Sequence, residues 1–211
     1  GGSPMDAAKA IAVFIKNPNV NIDNIFSGKK LDHLPVVAVP TTSGTGSEGT
    51  QYRIVTSNKE ETKKNLGQII FPQVAFLDYK YTYDLPYDIT VNTALDAFSH
   101  LVEGYLNNNS TYISELYAEK GFELFKDSFK KMLNKALYQE FRANVMLAST
   151  LAGIVISQTG TSLPHGMGYP LTYFKGLPHG LANGVLMIEY LKIFQDQTKI
   201  EKMLKFMSLK N

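Results

Sequence analysis

The stretch Leu85-Pro86-Tyr87-Asp88-Ile89-Thr90-Val91-Asn92-Thr93-Ala94-Leu95-Asp96-Ala97-Phe98-Ser99-His100-Leu101-Val102-Glu103-Gly104-Tyr105-Leu106 is where the texture of the chain changes. Upstream, short apolar runs bounded by prolines and polar loops read as strands. From Leu85-Pro86 onward that signal stops and helical periodicity takes over, through 91–106, 112–133, 138–158, 179–194 and the C-terminal segment. The apolar positions 113, 116, 117, 125, 129 and 132 form the stripe of a core-facing helix. The shift places a boundary near residues 82–86, between an α/β part (residues 1–83) and an all-helical part (residues 84–211).

Working upstream, Leu34 to Val39 suits a buried parallel strand, and Gln51 to Thr56 and Val74 to Leu77 are further strand candidates. A polar loop fills 17–30, and 57–64 reads as hairpin-like. Ser3-Pro4-Met5-Asp6 before apolar residues 7, 8, 11, 12, 14 and 15 predicts a helix with Ser3 as its N-cap and Pro4 in its first position. The small residues Gly1-Gly2-Ser3-Pro4 at that helix start form a natural pyrophosphate cradle. The chain starts without Met and ends inside a helical pattern, which leaves open a piece of a longer protein.

The 211 residues include 44% hydrophobic and 19% charged side chains, a net charge of +2 and no cysteine. Zero cysteine excludes disulfides, thiolate zinc, iron–sulfur ligation and a cysteine nucleophile. The 21 basic and 19 acidic residues are interleaved, so no nucleic-acid footprint is expected. The longest nearly apolar stretch, Val145 to Ile156, is shorter than a membrane span and reads as a buried helix. With no signal-like segment either, a cytoplasmic location without membrane partners is the expectation.

Chemistry then falls to four histidines, at 33, 100, 165 and 179. Asp96 and His100 lie one turn apart on one helix face and can reach one ion. On a continuous helix His165 and His179 would be separated by about 21 Å, but Pro170, Gly176 and Pro178 are expected to break any helix there and let the chain double back. Pro178 puts His179 at a helix N-terminus, where the dipole favours neutral imidazole. His33, on a polar approach to a strand, reads as structural. Taken singly each of the other histidines reads sooner as a structural core or surface group; together, Asp96 and three neutral imidazoles make a cage for a divalent metal with one or more open positions, suited to Lewis-acid chemistry.

The loop Pro40-Thr41-Thr42-Ser43-Gly44-Thr45-Gly46-Ser47-Glu48-Gly49-Thr50 follows a strand candidate. It formally matches a dinucleotide fingerprint, yet it precedes a strand rather than opening a helix, so the match reads as accidental. Its hydroxyls and backbone N–H groups suit a phosphate or ribose, and equally a plain turn.

These residues resemble the iron-containing (group III) alcohol dehydrogenases, within them the 1,3-propanediol and butanol dehydrogenase branch. Five segments carry the likeness in the family's order: Gly1 to Lys9, Pro40 to Glu48, Pro72 to Asp78, Asp96 to Tyr105, and His165 to Gly168 with Pro178 to Gly184. The resemblance implies an incomplete Rossmann-like, dehydroquinate-synthase-like α/β part joined to a helical metal-binding domain. It implies metal ligands at Asp96, His100, His165 and His179, with His165 and His179 as the catalytic pair. It also implies NAD or NADP contacts at Gly1, Gly2, Ser3, Asp6, Thr41, Thr42, Thr45 and Ser47, with Fe²⁺ or Zn²⁺ as the metal. The implied reaction is reversible hydride transfer between a small primary alcohol or aldehyde and nicotinamide, in a homo-oligomer. The alternatives are a related polyol dehydrogenase, a lyase on the same architecture, or a catalytically incompetent fragment. Tyr169 stands where many members carry a further histidine, and Gly49 where a β-branched residue is common. Family members also have strands before Gly1 and helices after the last histidine motif, so an internal fragment with exposed strand edges is expected.

Overall fold

A computed structural model describes residues 1–21, 25, 30–57 and 61–209. Parts of the loop read at 17–30, and the tip of the hairpin-like 57–64 stretch, lie outside these residues. The elements in order are helix α1 (Gly2–Lys16), strands β1 (Val37–Ala38), β2 (Ile54–Ser57), β3 (Thr62–Asn65) and β4 (Val74–Ala75), then helices α2 (Tyr87–Tyr105), α3 (Tyr112–Leu124), α4 (Ser128–Leu133), α5 (Gln139–Thr159), α6 (Leu163–Lys175), α7 (His179–Lys192) and α8 (Thr198–Phe206). Single 3₁₀ turns occupy Ser47–Gly49 and Tyr79–Thr82. The architecture is a strand-bearing α/β segment followed by a helical one.

The strand signals survive only as short ladders. β1 runs parallel to β4 with Val37 opposite Val74, and β2 runs antiparallel to β3 with Ile54 opposite Asn65. Beside the β1–β4 pair Ala12 and Val13 of α1 pack on Val36 and Ile70. Among the described residues Val37 is 58% exposed and Phe76 60%, and Ile11 and Ile15 of α1 are also exposed. The strand read at 34–39 is thus parallel as expected but not buried throughout.

The large core lies among the helices. Ala94, Ala97, Phe98, Leu101, Val102 and Tyr105 recur at helical spacing on α2 and meet Phe122 and Phe125 from the end of α3 and Phe141, Val145, Ala152 and Val155 of α5. Two glycines let the axes approach closely. A Cβ on Gly104 would lie 2.3 Å from Val155 Cγ1, and one on Gly121 2.6 Å from Leu101 Cδ2. α3 starts on a reciprocal cap: Thr111 Oγ1 accepts from Ser114 N–H at 3.3 Å, and Ser114 Oγ accepts from Thr111 N–H at 2.8 Å. The stretch Val145 to Ile156 is the middle of α5 and mostly buried. Among the described residues no single helix is long and apolar enough to cross a membrane.

Three local expectations are corrected. α1 starts at Gly2 with Gly1 as its N-cap, so Ser3 is no cap and Pro4 sits inside the first turn, where its missing N–H would have had no helical partner. The single helix read over 112–133 is two, broken at Asp127 in the left-handed conformation (φ 59°). The break brings Phe125 and Phe129 both edge-on to Phe98, with ring centroids 5.7 and 5.0 Å away. Finally, α6 runs straight through Pro170. The helix ends instead at Gly176 (φ 65°), and the chain reverses over Gly176-Leu177-Pro178 into α7.

The loop 41–50 bears directly on α5. Gly46 has φ 57°, and a Cβ on Gly153 would sit 2.2 Å from Gly46 O. Around this backbone contact Thr150 Oγ1 donates to Glu48 Oε1 at 2.7 Å, Tyr52 Oη to Ile156 O at 3.0 Å and Gln51 Nε2 to Ser157 O at 3.2 Å.

Candidate metal centre and cofactor cleft

α2 places Asp96 and His100 one turn apart, both buried. α6 brings in His165, and the reversal at Gly176 returns the chain so that His179 opens α7. Gly180 makes that approach possible: a Cβ there would fall 1.8 Å from Asn92 O of α2. Asp96, His100 and His165 each offer a ligand atom within 4.8 Å of the others. His165 Nε2 and His179 Nε2 are each 3.6 Å from Asp96 Oδ1. The His100 and His165 rings stack at 4.4 Å, and the His165 and His179 rings meet nearly edge-on at 5.1 Å. All four side chains picked from spacing therefore converge, while His33 lies elsewhere, its Nδ1 2.9 Å from Leu34 O.

The electrostatics follow from burial and charge. Burial alone would raise Asp96, but His100, with His165 and His179, holds its carboxyl well below the usual carboxylate range. Burial lowers His100, and it lowers His179 to about 4, while the Asp96 carboxylate pulls both the other way. At His165 burial acts in the same direction, but the neighbouring Asp96 and Glu103 carboxylates push it up to about 9. The space between the two carboxylates favours a positive charge, whether a proton on His165 or a metal cation. One carboxylate and three converging imidazoles, with His165 and His179 each turning Nε2 toward Asp96 Oδ1, make a donor set that fits a divalent metal.

Two residues around this cluster carried no role in the sequence reading. Glu103, fully buried on α2, has Oε1 2.5 Å from His165 Nδ1, while Oε2 accepts from Ser162 N–H at 2.7 Å and Ser162 Oγ at 3.2 Å. Its signal was present: Asp96, His100 and Glu103 follow i, i+4, i+7 on one helix face. Asn183, one turn after His179 and fully buried, has Nδ2 among the donor atoms. The Tyr169 ring stacks on His179 at 5.5 Å, and burial pushes its phenol up to about 12.

Asp96, His100, His165, Tyr169 and His179 line a cavity of about 700 Å³, within the range of small-molecule sites. Gly2, Ser3, Asp6, Thr45 and Ser47 line it on the other side. Gly2 fits between α1 and the loop only without a side chain, since a Cβ would lie 2.6 Å from Thr45 Cγ2. Gly1, Thr41 and Thr42 are not in the wall. Thr41 Oγ1 accepts from the Gly1 amine at 2.8 Å, and a Cβ on Gly1 would be 3.6 Å from Thr42. Asp6 and Ser47 line the cleft but are already engaged. Ser47 Oγ donates to Asp6 Oδ1 at 2.9 Å, Ile54 N–H to Asp6 Oδ2 at 3.2 Å, and the buried Lys9 ammonium to Ser47 O at 2.7 Å and Thr50 O at 2.8 Å. Lys9 was quoted only as part of a motif; here it braces the loop.

Comparison with known proteins agrees with this geometry. The family model described as iron-containing alcohol dehydrogenase matches residues 1–79, and that of the C-terminal part of the Fe-containing alcohol dehydrogenase family matches 90–210. The chain belongs to the iron-containing alcohol dehydrogenase family. Among its relatives are the probable alcohol dehydrogenase EutG of Salmonella typhimurium, 34% identical over 89% of this chain and 48% of the relative, and the 1-propanol dehydrogenase PduQ of the same organism, 34% identical over 91% and 49%. An iron-containing alcohol dehydrogenase of Thermotoga maritima superposes with a TM-score of 0.87 at 40% identity, over 98% of this chain and 57% of that one. A sulfoacetaldehyde reductase of Bifidobacterium kashiwanohense, solved with NAD⁺, superposes at 0.83 and 28% identity, over 100% and 62%. The chain thus spans about half the length of the curated relatives it matches.

Proposed function

We propose that this chain carries the metal centre and part of the cofactor cleft of a metal-dependent, NAD(P)-linked alcohol dehydrogenase that interconverts a small primary alcohol and its aldehyde. In this reading residues 1–83 are a partial nucleotide-binding part and residues 84–211 the helical metal-binding part. The observation that carries it is the convergence of Asp96, His100, His165 and His179 on a cleft whose facing wall is the glycine start of α1 and the 41–50 loop. The metal when bound, iron by family and the same donor set suiting zinc, supplies Lewis acidity toward the alcohol oxygen, and NAD or NADP takes up the hydride.

The chain's own residues bind and orient. Asp96 brings negative charge, and burial acts against protonating His100 and His179, which favours available lone pairs. Glu103 holds His165 through Nδ1, which directs Nε2 toward Asp96. Gly2 and Ser3 present the α1 N-terminus to the cofactor's phosphates. Thr45 offers the loop side, with Gly1 tied to Thr41 behind it and Asp6 and Ser47 setting that loop's shape. Tyr169 walls the substrate end and excludes water beside His179.

In the protein of full length, His179→Ala is expected to lower metal content by elemental analysis and alcohol-dependent NAD(P)H formation together. Normal turnover in protein stripped of metal would overturn the reading. A substrate panel followed by nicotinamide absorbance separates it from a polyol dehydrogenase or a lyase.

A further inference from the structure

We propose that Asn183 is a positioning residue of the metal centre: its side-chain amide, seated against Gly168, holds the Asp96 carboxylate oxygen in the orientation that completes the donor set. The proposal rests on the reading of Asp96, His100, His165 and His179 as metal donors.

Asn183 is fully buried where α2, α6 and α7 meet. It follows His179 by four residues, so both side chains leave α7 on the same face. Its Nδ2 donates to Asp96 Oδ1 at 3.3 Å and lies 3.1 Å from His165 Nε2 and 3.5 Å from His179 Nε2. The NH₂ group therefore lies within 3.5 Å of a candidate donor atom from each of the three helices, and Asp96 Oδ1, with two lone pairs, is the one that can accept from it while also holding a cation. On the far side Oδ1 is buried without a partner, packed against Gly168, where a Cβ would fall 2.2 Å away. Gly168 lies one turn after His165 on α6, so the absence of a side chain there is what admits the amide.

A leucine would fill the same space without stranding an acceptor, so packing alone does not account for an amide with one end satisfied. The satisfied end is the one among the donor atoms. A carboxylate has two oxygens and a rotatable plane; an N–H fixed on Oδ1 removes that freedom before a cation arrives. Partners that orient ligands in this way commonly change metal affinity about 10–100-fold when removed.

The test is a Co²⁺ titration of the metal-stripped full chain, followed by the ligand-field absorption of the bound ion, with far-ultraviolet circular dichroism as the folding control. Asn183→Ala is expected to weaken Co²⁺ binding about 10–100-fold and to shift the ligand-field bands while helical content is unchanged. Should Asn183→Ala fail to fold, Gly168→Ala displaces the amide without deleting it and is expected to produce the same weakening and shift. Wild-type affinity with an unshifted spectrum in the folded variant overturns the role of Asn183 alone. No Co²⁺ binding by the wild-type chain overturns the metal-centre reading and the proposal with it.

Discussion

Replacing Glu103 by glutamine changes almost no volume, so the outcome reports hydrogen bonding rather than a cavity. The carboxylate accepts from two sides, His165 Nδ1 at 2.5 Å and Ser162 N–H at 2.7 Å. Glutamine keeps one acceptor oxygen and turns the other into a donor. If its oxygen stays on Ser162, the new NH₂ faces His165 Nδ1, and the imidazole must move its proton to Nε2, the nitrogen turned toward Asp96. If the oxygen turns to His165, the Ser162 N–H at the start of α6 is left buried and unpaired, at a cost of about 1–3 kcal/mol. The first arrangement removes a metal-facing lone pair and the second loosens the helix that carries it. Either way a loss of about 10–100-fold in metal affinity is expected. At about 2–4 °C per kcal/mol for a chain of this size, the melting temperature should fall by several degrees. Equilibrium dialysis against Co²⁺ and a calorimetric melt read the two quantities separately. A glutamine variant that binds metal within twofold of wild type and melts at the same temperature would refute the reasoning.

Other contacts are equally open to test. Lys199 Nζ lies 2.7 Å from Glu115 Oε1, joining α8 to α3, and this hydrogen bond holds the Glu115 carboxyl below its ordinary value. Because the folded-state value is depressed, the contribution is present above the unfolded carboxyl's range and is lost as pH falls through the folded value. Glu115→Gln should therefore cost under about 1 kcal/mol near neutrality and nothing in acid, a difference that urea melts at the two pH values resolve. Gly153→Ala should destabilise by about 1–3 kcal/mol or more, since its methyl would overlap Gly46 O at 2.2 Å; an unchanged melt would show that the loop yields freely.

Much of this was legible before any coordinates. The helical half follows from an unbroken 3.6-residue rhythm after Leu85. The candidate donor cluster follows because Asp96 and His100 share a face, and because Gly176 and Pro178 advertise the reversal that returns His179. What sequence could not carry were features decided by neighbours far along the chain. The apolar rhythm of 125, 129 and 132 continues across Asp127, so nothing local announces the break that turns Phe125 and Phe129 onto Phe98. Pro170 looks like a helix breaker, yet α6 continues past it, packed on α7. Asn183 and Gly168 are unremarkable apart and acquire meaning only where three helices meet. Glu103 shares the face of α2 that carries Asp96 and His100, but its partner His165 lies 62 residues away in sequence, so the pairing itself is invisible to any local pattern.

The backbone contact between Gly46 and Gly153 has a mechanical consequence. A cleft between two sequence segments invites the picture of two bodies swinging about the connection at residues 82–86. Such a swing would have to part Gly46 from Gly153, Glu48 from Thr150 and Tyr52 from Ile156, all at once. The 41–50 loop therefore travels with the helices although the chain places it among the strands. Lys9 and Asp6 clamp α1 to the same loop. A swing about residues 82–86 alone therefore does not separate the loop from the donor cluster, and ligand exchange at that cluster is expected to be insensitive to stiffening of this connection.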